Sequence, residues 1–234
     1  MENAPITIPK LILFDVYETL MDMSQVERKV NELMDSRRGY RIWFEIFMEY
    51  CFVDNCIDQF NDFPSIANAA MQMTGKILER KVSEEDAQNV LELLKHLPIR
   101  QGVQNGLSSL NDQGIRIAAL TNSSEDIVCE RMERTGLISY FEKVISAEEV
   151  RKYKPSIVVY QWALKKLGVT ADEVMLVSSH GWDLAGACNA GLKTAYIKLS
   201  SSVLFPLSPK PDLVCSGIDD LADQLYQAAM QNTV

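Results

Sequence analysis

Apolar residues fall into two rhythms along the chain. The first is a set of short continuous runs, of which Leu11-Ile12-Leu13-Phe14, closed by Asp15, is the clearest. Such a run, bounded by polar or turn residues, reads as a strand buried on both faces. Strands are expected on this ground at Leu11–Asp15, Arg116–Leu120, Lys143–Ser146, Val174–Val177, Thr194–Ile197 and Leu213–Cys215. The second rhythm is helical. It runs almost unbroken from Asp22 to Leu97, for example through Ile42, Trp43, Ile46, Phe47 and Tyr50 at spacings of three and four. Pro64 and Gly75 are expected to break this stretch into separate helices. Ser83-Glu84-Glu85-Asp86 has the form of a helix start, with acids in the first turn where the helix dipole favours them.

After Pro98 strands and helices alternate. Helices are expected at Val103–Gln113, from the polar Thr121–Ser124 segment to Gly136, at Ser156–Leu167, at Asp183–Ala190 and at Ile218–Met230. The stretch Ser200–Pro211 is the one long loop. Repeated strand–helix alternation predicts α/β architecture: a Rossmann-like parallel sheet with helices on both faces. Residues 1–20 and 98–234 would form this core, and residues 21–97 a helical bundle inserted after the first strand.

Composition narrows the possibilities. The 234 residues are 47% hydrophobic and 24% charged, with a formal net charge of -9. These are globular proportions, and the acidic balance argues against nucleic-acid binding and against a polybasic membrane surface. No apolar run approaches the roughly 20 residues of a membrane-spanning helix. Met1–Lys10 lacks the pattern of a secretory leader. The five cysteines include no CxxC pair, so reduced core thiols in a cytoplasmic protein are expected rather than a disulfide framework or a zinc cluster. With only two histidines, His96 and His180, a Ser-His-Asp triad has little material. His96, beside Leu97-Pro98, reads as structural or solvated.

In open parallel sheets chemistry gathers at the carboxyl ends of strands. That rule selects Asp15–Thr19, Thr121–Ser124 and Ser178–Asp183, with Lys154 in a loop able to join them. An aspartate at a strand mouth can act as a nucleophile through an ester that water then cleaves. A nearby lysine would keep it ionised. Thr19, Thr121 and Asn122 could hold it, or a substrate carboxylate, by hydrogen bonds, and Asp183 could orient the lysine or polarise water.

Four ordered segments carry a resemblance. Phe14-Asp15-Val16-Tyr17-Glu18-Thr19-Leu20, then Leu120-Thr121-Asn122-Ser123, then Tyr153-Lys154-Pro155 with Tyr160, then Val177-Ser178-Ser179-His180-Gly181-Trp182-Asp183 resemble the motifs of the haloacid dehalogenase superfamily. The match covers nearly the whole chain, the inserted cap included. The details are most similar to the type II (S)-2-haloacid dehalogenases, because Tyr17 stands where phosphatase members carry a second aspartate that protonates a leaving alcohol. Halide needs no proton to depart. The resemblance implies Asp15 as nucleophile, Lys154 as its charge partner, and Thr19, Ser178 and Asp183 holding the nucleophile, the lysine and the hydrolytic water. It implies Thr121 and Asn122 at the substrate carboxylate, Tyr17, Tyr160 and Trp182 around the pocket, and no metal.

Two positions depart from the pattern. Where the dehalogenases place a halide-receiving arginine after a cap tryptophan, Trp43 is followed by Phe44. A ring edge is a far weaker anion partner than a guanidinium. His180 stands where asparagine is frequent, and it can donate a hydrogen bond or, protonated, add positive charge. Arg41, three residues before Phe44 on the same helical face, is the alternative source of that charge, or else only solvates the cap surface. The expected activity is hydrolysis of small 2-haloalkanoic acids by a cytoplasmic enzyme without cofactor, homodimeric by resemblance. The alternatives are a Mg²⁺-dependent phosphatase of the same superfamily and a catalytically silent binding protein.

Overall fold

The computed structural model describes residues 6–200 and 202–231. The segment 1–5, part of the expected core and of the leader reading, lies outside the described residues, as do Ser201 of the long loop and residues 232–234. Strands β1 (Leu11–Phe14), β2 (Arg116–Thr121), β3 (Lys143–Ser146), β4 (Val174–Ser178), β5 (Lys193–Ile197) and β6 (Leu213–Cys215) form one sheet. Its order is β3-β2-β1-β4-β5-β6 and every pairing is parallel.

Helices α1 (Ser24–Leu33), α2 (Gly39–Cys56), α3 (Phe63–Ile77) and α4 (Glu84–Lys95) follow β1 before the chain returns to the sheet. The remaining helices are α5 (Val103–Asp112), α6 (Glu125–Arg134), α7 (Ile157–Leu167), α8 (Gly181–Asn189) and α9 (Ile218–Gln231). Side chains of β1 alternate between two apolar layers, as the pleat requires. Leu11 and Leu13 pack with Val159, Ala163 and Ala187 of α7 and α8. Ile12 and Phe14 pack in a larger cluster with Leu107, Val128 and Leu225, and that cluster continues into the inserted helices. Burying apolar surface at ~25 cal/mol per Å² makes these two layers the main source of cohesion.

Local chemistry explains the helix ends. Asp62 caps α3 by accepting the Ser65 N–H at 2.9 Å, and Pro64 sits in the first turn, where its missing N–H is harmless. Ser83 and Asp86 form a reciprocal capping box at α4. The helix does not break at Gly75. It runs through this residue to Ile77, because a Cβ there would lie 2.7 Å from Val82 Cγ2, so the glycine serves close packing rather than termination. The α8 helix begins at Gly181, two residues before the expected Asp183, which makes His180 its capping residue.

The chain leaves and re-enters the core through one paired neck. Asp22 N–H donates to Pro98 O at 2.8 Å and Arg100 N–H to Leu20 O at 2.9 Å, around a bridge between Met21 and Ile99. Strand order reverses at β1 and β4, so the crevice outside their carboxyl ends is where this architecture places a ligand.

Candidate active site

Asp15 is the first residue after β1, and its N–H still bonds to Val177 O at 2.9 Å. Its side chain therefore emerges at the strand-order reversal, 5% exposed. Lys154 arrives from the loop between β3 and α7 and is itself buried. Its Nζ donates to Asp15 Oδ1 at 2.7 Å, to Asp183 Oδ2 at 2.8 Å and to Leu120 O at 3.1 Å. All three ammonium protons thus have acceptors. Gly186 lets this happen: a Cβ on it would meet Pro155 Cβ at 2.6 Å and Tyr160 Oη at 2.7 Å, so α8 closes against the Lys154 loop only without a side chain.

Electrostatics follow from this geometry. Burial alone would push the Asp15 carboxyl up. The Lys154 ammonium, with His180 and the Thr19 hydroxyl, outweighs it and holds the carboxyl below its ordinary value. Burial would likewise lower Lys154, but the carboxylates of Asp15 and Asp183 outweigh it and raise the ammonium above its ordinary value. Asp15 is thus an anion and Lys154 a cation at neutral pH. Thr19 Oγ1 donates to Asp15 Oδ2 at 2.8 Å, and Ser178 Oγ stands 3.5 Å from the same oxygen, a weak contact.

Other expected site residues take more specific places. Asn122 lines the cavity above Asp15, and its Oδ1 accepts the Lys154 N–H at 2.8 Å, so its side-chain amide N–H groups are what it offers a ligand. Thr121 is not on the cavity wall: it is 1% exposed and its Oγ1 accepts the Ser123 N–H at 3.1 Å, because the sharp turn after β2 needs that bond. Tyr160 does not line the pocket either. Its hydroxyl donates to Asp183 Oδ1 at 2.6 Å from behind, and burial and that carboxylate hold the phenol well above its ordinary range. Asp183 is fully buried with one oxygen on Lys154 and the other on Tyr160, which makes it an orienter of the lysine.

The walls are aromatic. Tyr17, Trp43, Phe44, Phe47, Phe63 and Trp182 surround the opening above Asp15. The enclosed space is about 30 Å³, room for one or two water molecules. An organic acid enters only when the walls move. The His180 ring is sandwiched between Phe44, at 5.7 Å and 24°, and Trp182, at 5.0 Å and 16°. Its Nε2 is 3.3 Å from Tyr17 O. A carbonyl only accepts, so this bond requires a proton on Nε2. Nε2 is also 3.7 Å from Asp15 Oδ2, while Nδ1 is 3.7 Å from Glu18 Oε2. Arg41 does not reach in. It is mostly exposed and pairs with Glu45 at 2.8 Å, one helical turn along α2, because its stem leaves the helix on the solvent side.

Four residues of the neighbourhood were given no role of their own from the sequence. Ser179 N–H donates to Thr19 Oγ1 at 3.0 Å, fixing that hydroxyl. Glu18, at φ 60, accepts the Tyr40 hydroxyl at 2.8 Å and so faces His180. Asn55 of α2 bonds both sides of the Tyr153 backbone, at 2.8 and 2.9 Å, tying cap to core beside Lys154. Arg131 is 1% exposed, and none of its side-chain nitrogens has a hydrogen-bond partner among the described residues. Its guanidinium lies 4.9 Å from the centre of the Tyr17 ring. A desolvated cation–π contact is worth about 2 kcal/mol, against a burial cost of several kcal/mol per ion. The signal was helical spacing: Arg131 falls on the stripe of Val128 and Met132, both buried.

Among the described residues no cluster of three or more histidine, cysteine or acidic side chains could hold a metal ion. Asp15 and Asp183 are bound instead to a shared ammonium, and Tyr17 replaces a second acid.

Comparison with known proteins agrees with the layout. The family model described as haloacid dehalogenase-like hydrolase matches residues 12–197. The chain is 31% identical over 223 residues to (S)-2-haloacid dehalogenase 2 of Pseudomonas sp. (strain CBS-3), covering 93% of this chain and 96% of that one. The solved L-2-haloacid dehalogenase of Xanthobacter autotrophicus superposes with a TM-score of 0.82 at 26% identity, over 93% of this chain and 98% of that chain. A structure of the same enzyme with chloropropionic acid covalently bound superposes with a TM-score of 0.84 at 24% identity, over the same shares of the two chains.

Proposed function

The chain belongs to the haloacid dehalogenase-like hydrolases, and from that premise we propose that it hydrolyses small 2-haloalkanoic acids to 2-hydroxy acids through an ester on Asp15. The observation that carries the reading is an ionised carboxylate held on a buried lysine at the floor of an aromatic cavity, with Tyr17 rather than an acid two residues on. Asp15 attacks C2 of the acid, the carbon–halogen bond breaks, and halide leaves with the bonding pair. Water then adds to the ester carbonyl, and the 2-hydroxy acid departs with release of a proton. The oxygen on which negative charge grows already touches the Lys154 ammonium, so its stabilisation needs no rearrangement. Aromatic walls strip the nucleophile of water, which strengthens these interactions.

The site must hold the charges of Asp15, Asp183 and a substrate carboxylate against one lysine. Phe44 adds no positive charge and Arg41 is outside. His180, with one carboxylate 3.7 Å from each ring nitrogen, is the group we assign to supply the missing charge, and the Asn122 amide the group that meets the substrate carboxylate. No metal enters the proposed reaction. We further propose a cytoplasmic homodimer. The free state of all five cysteines supports a reducing compartment, and no described helix is long and apolar enough to cross a membrane. Gel filtration with light scattering tests the dimer.

The deciding experiment follows halide release from (S)-2-chloropropionate in EDTA. Steady release, with lactate of inverted configuration, is the expected result. No release from any small 2-haloacid, beside Mg²⁺-dependent release of p-nitrophenol from its phosphate ester, would sink the reading.

A further inference from the structure

Arg131 carries a charge that no described protein group answers by a hydrogen bond. A guanidinium stays protonated at any pH at which a protein is folded, and its five donors are strongly oriented. Buried polar groups are ordinarily satisfied, so one left without partners marks a place where something else binds. The residue lines a second cavity, of about 230 Å³, between α3, α4 and α6. Tyr17, Phe63 and Leu94 separate it from the space above Asp15, presenting one side to each cavity. Its remaining walls are mainly apolar, Leu91 and Ile127 among them, and Ser123 adds a hydroxyl. Lys95 lies on its wall and is half-exposed, paired with Glu92 at 2.7 Å.

We propose that this cavity is a second binding site, for a monocarboxylate with a short alkyl chain. The guanidinium nitrogens are covered in this structure, so a carboxylate reaches them only when the covering side chains move; the planar fork then matches its two oxygens, and the apolar walls match the chain. A bare halide would use the charge and leave the walls unfilled. The site stands apart from the Asp15 cluster and does not depend on the dehalogenation reading.

The test is thermal unfolding of the wild type, Arg131→Met and Arg131→Lys in rising sodium butyrate, with sodium chloride at matched ionic strength. Butyrate is expected to raise the wild-type Tm by roughly 3 °C or more, and chloride to leave it in place. Arg131→Met keeps the volume and removes the unanswered charge. It is expected to unfold at a higher temperature than the wild type without ligand, and to gain less than half the wild-type shift from butyrate, the remainder being binding above Asp15. Arg131→Lys keeps the charge without the fork and is expected to show less than half the wild-type shift. The proposal is overturned if butyrate shifts no protein, if it shifts wild type and the methionine variant equally, if chloride reproduces the shift, or if Arg131→Met is less stable than wild type. None of these readouts depends on halide release.

Discussion

At the residue scale, the centre is a chain of buried bonds from Tyr160 through Asp183 and Lys154 to Asp15, with the last two on the cavity wall. Tyr160→Phe leaves Asp183 Oδ1 buried without its donor. It should cost about 1–3 kcal/mol of stability. It should also lower kcat roughly tenfold with KM unchanged, because the lysine loses its orientation while the walls stay in place. Steady-state kinetics beside thermal melts check both. His180→Phe keeps the stack between Phe44 and Trp182 but removes the ring's N–H donor. A fall in kcat/KM of about 100-fold is expected, and an unchanged value would rule out a role for His180 in balancing the site. The motif residues were legible in the sequence because their spacing along the chain is tied to strand ends. Their partners were not: Thr121 and Tyr160 were expected in the pocket, and only packing turned one onto a backbone turn and the other behind Asp183.

At the element scale, the cap matters through its contacts. The neck at Leu20–Asp22 and Pro98–Arg100 is a paired connection between core and cap, and the Asn55–Tyr153 bonds fasten the far end of α2 next to Lys154. Closure over so small a cavity sequesters the reaction from water and must reverse for substrate and product to pass. Asn55→Ala breaks the fastening. It should raise KM about tenfold while kcat stays within about twofold, since closure contributes to binding and the Asp15 cluster is untouched. Substrate titrations would show it, and a fall in kcat alone would contradict it. Helix existence in the cap was readable from the apolar stripe of α2 and the Ser83–Asp86 start of α4. The continuation of α3 through Gly75 was not, because a glycine that ends a helix and one that admits a neighbour look alike in a sequence.

At the scale of the whole molecule, the Asp15–Lys154–Asp183 cluster joins the first strand, the α7 approach and α8, so its ionisation is coupled to folding. The Asp15 carboxyl lies lower in the folded protein than the ordinary value of about 3.9, so its stabilising effect is complete above that value and is lost as pH falls through the folded one. Lys154 lies higher than its ordinary value of about 10.4, so its effect is complete below that value and is lost as pH rises through the folded one. From these two groups Tm should be level between about pH 5 and pH 9 and fall outside it. Melts across that range test this, and in Asp15→Asn the acid-side contribution of Asp15 should disappear.

The sequence by itself determined the α/β order and the place of the inserted helices, and it singled out Asp15 and Lys154, which the fold brings together, because hydrophobic period and strand-end position are properties of neighbours along the chain. Tertiary structure alone decided the charge balance. Arg41, near Phe44 in sequence, points to solvent, while Arg131, far from any motif, is buried behind Tyr17. The net charge of -9 says nothing of either. Coulomb interactions depend on distance and on the dielectric around each group, and both are set only when helices from distant parts of the chain pack together.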